Sequence, residues 1–402
     1  RSMPKPLASR LASVAPSATL AINARAQELR ARGVDVISFG AGEPDFNTPT
    51  NVCEAGKRAI DEGRTRYTPV AGVNELRDAI AERSARERGV PCARGNVVVT
   101  VGAKGALFNL ALALFEPGNE VVIPAPYWVS YPEQVRIVGA TPVHVGSTLD
   151  DGWRLSPEAL ASALTPRTKA VVLCSPSNPT GAAYTRAQLR ALADVLVKHD
   201  CWVVLDEIYG ALVYDGFDQA SMLAVAPELA DRAVVIDGVS KTYAMTGWRV
   251  GWSVAPVALS KAMEMIQSQG ATSTATMAQW AALEALRSPP LELDQMRALF
   301  ELRRDRLVHG LRELPGVRVA TPEGAFYAFA EVKGWVGRRT PAGATLDDDL
   351  AVAAWLLDAA GVAVVPGSAF GAPGHMRLSY AVGVESIDKA LSRIAAAVAS
   401  LE

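Results

Sequence analysis

Short, continuously apolar runs alternate with helix-periodic segments over the first two-thirds of the chain, and this alternation restricts the fold more than any other feature. The runs fall at 97–101, 120–124, 141–145, 169–174, 202–206, 233–237 and 250–255. Several are apolar at every position instead of every second one, the pattern of strands covered on both faces. Helical periodicity lies between most of them, near 104–115, 129–137, 157–164, 185–199 and 257–269. Strands separated by helices in this way form an α/β architecture, a mostly parallel sheet between helix layers.

The two ends of the chain read differently. Upstream, a helical pattern from 17 to 32 closes at Gly33, and a short strand over 34–39 runs into the loop Gly40-Ala-Gly-Glu-Pro-Asp45. Two more helices are predicted at 50–62 and 74–88. Beyond Pro289-Pro290, a long helix over 291–314 precedes shorter strands at 317–320, 326–331, 362–365 and 376–380. Helices near 347–360 and 385–400 complete an α+β unit. The expected division is a large domain over 51–289 and a smaller α+β domain combining 1–50 with 290–402.

Charge and residue usage remove several classes of function. Lys plus Arg number 40 against 42 Asp plus Glu, a formal charge of −2. That balance gives no general electrostatic attraction to nucleic acid or to an anionic membrane. Cys53, Cys92, Cys174 and Cys201 are far apart and the four histidines are scattered, so neither a zinc site nor a disulfide framework is expected, and no metal. No apolar stretch reaches membrane-spanning length and no signal-peptide pattern opens the chain; Arg1 and Ser2 before Met3 read as a cloning remnant. A cytoplasmic protein is the expectation. Gly40-Ala-Gly42 begins a GxGxxG pattern but meets Asp45, Gly56-Lys57 lacks the rest of a P-loop, and no serine sits in GxSxG.

Ligands of open α/β sheets bind beyond the carboxyl ends of the strands, and here those ends carry the chemistry. The run ending at Val101 continues into Gly102-Ala103-Lys104 at a helix start, where free N–H groups can hold an anion. The next ends lead to Pro126-Tyr-Trp128, to Ser175-Pro-Ser-Asn178, to Asp206-Glu-Ile-Tyr209, and through Gly238 to Ser240-Lys241. An anion nest, an aromatic, an amide, a carboxylate, a phenol and an amine thus converge on one edge. Pyridoxal phosphate needs such a set: an amine for a Schiff base, an anion beside its ring nitrogen, donors for its phenolic oxygen and a phosphate cradle. Lys241, Asp206, Asn178 with Tyr209, and residues 102–104 with Ser240 and Arg249 match those needs, and Trp128 offers a face for stacking.

Through Ser175-Pro-Ser-Asn-Pro-Thr-Gly181, Asp206-Glu-Ile-Tyr209 and Ser240-Lys-Thr-Tyr-Ala-Met-Thr-Gly-Trp-Arg249, the chain resembles the class I aminotransferases, fold type I pyridoxal-phosphate enzymes. The likeness extends through Tyr67-Thr-Pro-Val-Ala-Gly72, Pro126-Tyr-Trp-Val-Ser-Tyr131 and Met376-Arg-Leu-Ser379, and Pro16-Ser-Ala-Thr19 with Gly102-Ala-Lys104 is similar to the bacterial Iβ aspartate aminotransferase subgroup. The resemblance implies that Lys241 is the Schiff-base lysine and general base, that Asp206 keeps the ring nitrogen protonated, and that Asn178 and Tyr209 bind the phenolic oxygen. It implies that Ser240, Arg249 and the backbone at Ala103 and Lys104 hold phosphate, with Trp128 against the ring. Where the family often has a hydroxyl this chain has Gly238, one phosphate contact fewer.

Tyr67 matches a tyrosine that reaches the neighbouring subunit's phosphate, which implies a homodimer. Arg377 matches the clamp on the substrate α-carboxylate, assisted by the Gly40 N–H, and Lys104 with Thr19 faces a distal carboxylate. The implied reaction is a ping-pong transfer from L-aspartate to 2-oxoglutarate. Lys104 and Thr19 also fit enzymes of the subgroup that transaminate prephenate, and other aminotransferases or lyases share the cofactor residues.

Overall fold

The computed structural model describes residue 5, residues 7–16 and residues 18–402, with the side chains of residues 18 and 19 excluded. Arg1, Ser2, Met3, the expected helix start at Ser17 and the Thr19 side chain lie outside the described residues. In chain order the first elements are α1 (Ala18–Ala31), β1 (Ile37–Ser38), α2 (Thr50–Asp61) and α3 (Asn74–Arg88). There follow β2 (Val97–Val101), α4 (Gly102–Leu114), β3 (Glu120–Ala125), α5 (Ser130–Ile137), β4 (Thr141–Gly146), α6 (Pro157–Ala163), β5 (Thr168–Cys174), α7 (Arg186–Leu196) and β6 (Trp202–Asp206). Then come α8 (Met222–Val225), β7 (Ala233–Gly238), β8 (Val250–Val254), α9 (Val257–Gln269), α10 (Thr276–Arg287) and α11 (Glu292–Arg312). The last third holds β9 (Arg318–Val319), β10 (Tyr327–Glu331), α12 (Asp349–Ala360), β11 (Val362–Ala363), β12 (Val365–Pro366), β13 (His375–Ser379) and α13 (Val384–Val398).

The central sheet has seven strands in the order β2-β8-β7-β6-β5-β3-β4. All pairings are parallel except those of β8, which runs antiparallel to both β2 and β7. The expected mostly parallel sheet is present, with β8 reversed for a simple reason. A parallel neighbour needs a crossover, usually a helix, and the segment between β7 and β8 has only a short 3-10 turn at Thr246–Trp248. Because β2 and β7 both oppose β8, the carboxyl ends of β2, β3, β5, β6 and β7 still meet at one edge.

Alternation along the strands assigns the layers. Val204, Val234, Ile236, Val172 and Ile123 pack with Leu107 and Leu110 of α4, Val135 of α5 and Met263 of α9. Val203, Leu205, Val235, Val171 and Val122 face the other way, onto Leu189, Leu192 and Leu196 of α7. On β6 the buried Val203, Val204 and Leu205 together contribute about 5–9 kcal/mol. That offsets the cost of carrying the Asp206 carboxylate into the interior at the strand's end.

A second, four-stranded sheet, β12-β13-β10-β9, packs under α11, α12 and α13 through Leu307, Leu311, Leu356 and Ile394. The run expected as one strand over 362–365 is two short ladders. Val362 and Ala363 pair with Ile37 and Ser38, and after Val364 the chain changes partner to β13. Helix α10 was not apparent from periodicity. Its buried face is built of Ala278, Ala281, Ala282 and Ala285, and small side chains give little hydropathic contrast around the helix. Those alanines let it lie close against α2, where a Cβ added at Gly56 would lie 3.7 Å from Ala281 Cβ.

Candidate active site

The carboxyl edge of the large sheet opens into a cavity of ≈ 670 Å³ lined from β2/α4, β5, β6, the segment after β7, the loop 40–43 and β13. Among the predicted residues it brings together Ala103, Lys104, Trp128, Asn178, Asp206, Tyr209, Ser240, Lys241, Arg249 and Arg377. Tyr67 is not among them: its side chain is 90% exposed. Gly40 sits at the rim beside Gly42, where a Cβ would meet Asn23 Oδ1 at 2.5 Å, so only glycine lets the loop pass under α1. Its N–H donates to Ser38 Oγ at 3.2 Å and its carbonyl accepts from Arg377, so the N–H expected to bind substrate is engaged within the chain.

Lys241 follows β7 by three residues, and its Nζ donates to the Gly42 carbonyl at 2.5 Å. Burial brings its pKa down from the ordinary lysine value to about 8; Arg377 and Arg249 act in the same direction, and Glu43 opposes them. An amine so placed is free base for an appreciable fraction of the time at neutral pH. The nearby chain is tied to the loop as well: Thr246 Oγ1 donates to Glu43 Oε2 at 2.6 Å, and Thr48 Oγ1 donates to the Ala244 carbonyl at 2.7 Å.

Asp206 terminates β6 and is 3% exposed. One carboxylate oxygen accepts from Tyr131 Oη at 2.6 Å and the other from the Ile208 N–H at 3.2 Å. Burial nevertheless lifts its pKa to about 6, against the opposing effect of those two donors. Tyr131 was quoted only as part of the resemblance and had no role assigned. Nothing in its sequence position announces the bond, which depends on α5 lying over the end of β6. Tyr327 on β10 was likewise missed. Its hydroxyl lies 2.9 Å from that of Tyr209, and its ring lies 4.5 Å from the Arg377 guanidinium carbon.

Arg377 is 2% exposed and meets no carboxylate among the described residues. Its Nη1 donates to Asn178 Oδ1 at 2.9 Å and its Nη2 to the Gly40 carbonyl at 3.1 Å, while Nε is buried without a partner. Burial lowers its pKa, as expected for a cation held away from water and from counter-charge. Lys104 also lacks a carboxylate among the described residues; its Nζ lies 4.9 Å over the Trp128 ring, and burial, then Arg249, lower its pKa. Lys104 is exposed on the wall of the open cavity, whereas an uncompensated buried cation such as Arg377 is costly, and a site that retains it is shaped for an anion.

The same holds at the start of α4. Among the described residues no side chain caps it; the Gly102 N–H donates to the Arg249 carbonyl at 3.1 Å, and the following N–H groups of the first turn are open toward Arg249 and the Ser240 hydroxyl. Arg249 adopts a left-handed backbone, φ 58°, and its guanidinium passes so close to Gly102 that a Cβ there would meet Nη2 at 2.6 Å. Gly238, where the resemblance implied one phosphate contact fewer, is tightly packed. A Cβ at that position would meet Gly251 Cα and the Val250 carbonyl at 3.0 Å across the β7–β8 ladder.

An anion cradle, a depressed amine and a buried carboxylate at the carboxyl edge of the large sheet, faced by an arginine of the second sheet that meets no carboxylate among the described residues, are the working parts of a transaminase. The chain belongs to the class I and II aminotransferases, whose family model matches residues 34–394. It is 48% identical over 396 residues to the aspartate/prephenate aminotransferase of Cereibacter sphaeroides, covering 98% of this chain and 99% of that one. The aspartate aminotransferase of Geobacillus stearothermophilus is 45% identical, with 96% and 98% covered. Among solved structures, the aspartate aminotransferase of Rhizobium meliloti superposes with TM-score 0.96 at 43% identity, covering 99% of this chain and all of that one. The Thermus thermophilus aspartate aminotransferase with maleate gives 0.91 at 44%, covering 98% and 100%.

Proposed function

We propose that the protein uses pyridoxal phosphate to move the amino group of L-aspartate to 2-oxoglutarate, giving oxaloacetate and L-glutamate in two half-reactions at one site. The observation that carries this reading is that Arg377 and Lys104, lining the cavity that holds Lys241, meet no carboxylate among the described residues. Two such charges suit a substrate with two carboxylates, and the Thermus thermophilus relative was solved with a dicarboxylate, maleate.

The residues fit the cofactor. The open N–H groups at Ala103 and Lys104, with Ser240 and Arg249, would hold its phosphate; Asp206 would face the ring nitrogen; Asn178 and Tyr209 would face the phenolic oxygen; and Trp128 would cover the ring. Bound there, pyridoxal phosphate supplies a ring that accepts the electron pair left at the substrate α-carbon. Asp206 keeps a charged acceptor beside the ring nitrogen, supported by Tyr131. Lys241 would hold the cofactor through its amine and, with that amine free, would take the α-proton of the substrate and return it. Arg377 grips the α-carboxylate with a planar fork that fixes the Cα–H bond for that transfer. Lys104, with Thr19, binds the distal carboxylate and disfavours apolar substrates, which would leave the cation unpaired.

The working form is a homodimer in which Tyr67 reaches the neighbouring subunit's phosphate; its near-complete exposure, with Met265 at 68%, supports that reading. The large domain spans 51–289 and the smaller one joins 1–50 to 290–402, a division supported by the pairing of β1 with β11. Among the described residues no helix is long and apolar enough to cross a membrane. A second reading, prephenate as amino acceptor, is favoured by the size of the cavity and by the dual name of the Cereibacter sphaeroides relative. The test is the visible spectrum of the cofactor-loaded protein. L-aspartate should bleach the band and 2-oxoglutarate restore it; a band indifferent to aspartate rejects this donor. Competing prephenate against oxaloacetate as acceptor separates the two readings.

A further inference from the structure

Five charged side chains lie under the site, on the sheet face away from the cavity, and the chemistry above uses none of them. In the parallel register Asp206 pairs with Ile236, so Glu207 and Asp237, one residue further along, share the opposite face. Helix α3 meets them there. Arg88 Nη2 donates to Glu207 Oε2 at 2.5 Å, and Arg83 Nη2 lies 3.8 Å from Asp237 Oδ2. Arg83 Nε also donates to Glu87 Oε1 at 2.8 Å. Arg88 is 4% exposed and Asp237 5%. The same helix, through Leu76 and Ile80, packs against Val239, Tyr243 and Met245, the segment that carries Lys241.

An interior ion cluster is a poor source of stability, since well-packed apolar groups do as well or better. Its position suggests another use. Glu207 is the covalent neighbour of Asp206, and Asp237 lies four residues before Lys241. We propose that Arg88 is a positioning residue that neutralises Glu207 from behind the sheet, so that Asp206 stays charged and in place at the cavity. This rests on the pyridoxal-phosphate reading given above. The groups acting on Asp206 from every side are Tyr131 on α5, Cys174 on β5, Glu207 on its own segment and Lys241 after β7. Of these, Glu207 works against its ionisation, and Arg88 is the ion partner that offsets it.

The experiment titrates the visible absorbance of the cofactor-loaded protein with pH in wild type, Arg88→Met, Arg88→Lys, Glu207→Gln and the double variant Arg88→Met/Glu207→Leu. Removing Arg88 leaves an uncompensated negative charge and should raise the midpoint by about one pH unit. Glu207→Gln should lower it, while Arg88→Lys and the double variant should stay near wild type. In Arg88→Met, kcat should fall about tenfold with KM little changed, the pattern of a lost transition-state interaction. Arg304→Met, which removes a buried arginine from its ion pair with the exposed Asp215 elsewhere, is the control: it should lower the melting temperature and leave the midpoint alone. Midpoints unmoved in Arg88→Met and Glu207→Gln would overturn the proposal while leaving the cofactor reading intact. A wild type that shows no visible band would overturn both. If Arg88→Met does not fold, Glu207→Gln and Arg88→Lys decide alone.

Discussion

Replacing Tyr131 by Phe removes one hydroxyl and one hydrogen bond, the 2.6 Å donation to Asp206, inside a fully enclosed site. A bond from a hydroxyl to a charged acceptor is worth about 1.5–3 kcal/mol, and to a neutral one about 0.5–1.5. The difference, about 1–1.5 kcal/mol, is the part that depends on the charge of Asp206, and it corresponds to roughly one further pH unit. Asp206 already has its folded-state pKa raised to about 6 from an ordinary 3.8. A raised carboxyl pKa means that the folded state binds the proton more tightly than the unfolded chain does. Stability is therefore lost as pH rises through this window, and the variant should extend the loss to about pH 7. Urea unfolding of the cofactor-free protein at one fixed concentration provides the assay. The variant should be about 1 kcal/mol less stable than wild type at pH 5 and about 2 kcal/mol less stable at pH 8. Equal destabilisation at both pH values would refute the argument, because it would mean that Tyr131 does not sense the charge on Asp206.

Three other substitutions test the charge logic of the cavity and the space around it. Arg377→Met removes a buried cation without a carboxylate partner; it should raise the stability of the cofactor-free protein by about 1 kcal/mol, read by urea midpoint, while abolishing measurable transamination of aspartate. Lys104→Ala should lower kcat/KM for aspartate about tenfold to a hundredfold and leave apolar amino donors nearly unaffected, so an equal loss for both would remove Lys104 from substrate selection. Gly238→Ser supplies the hydroxyl absent from the phosphate site, yet its Cβ would meet Gly251 and Val250 at 3.0 Å. It should cost about 1–3 kcal/mol in unfolding measurements, and cofactor affinity should not improve.

Most parts of the site that were legible from the residue pattern follow a strand of the mostly parallel sheet within a few residues; Arg377, inside β13 of the antiparallel sheet, came from the family resemblance alone. Asp206, Ser240 and Lys241 could be placed at the same edge because a continuous apolar run ends just before each of them and the sheet does the rest. The chain's own order was enough. Tyr131 and Tyr327 were not legible because their roles arise between elements: one reaches across from α5 to the end of β6, the other from a different sheet to Tyr209 and Arg377. Helix α10 was lost because alanine buries well and contrasts little. The reversed β8 had a sequence sign in the absence of a helix between 238 and 250, and that same irregular stretch carries Lys241.

This last coincidence has a physical reason. A helical crossover would carry the chain away over the face of the sheet, whereas an antiparallel return confines it to the edge, where the amine must be. The return also brings Gly251 of β8 against Gly238 of β7, where an added Cβ would lie 3.0 Å from Gly251 Cα, packs Gly251 against the Gly102–Ala103 backbone, and sends Arg249 back beside the start of α4 in a left-handed turn. One reversal of strand direction thus places Lys241 on the cavity wall and aims Arg249 at the anion cradle.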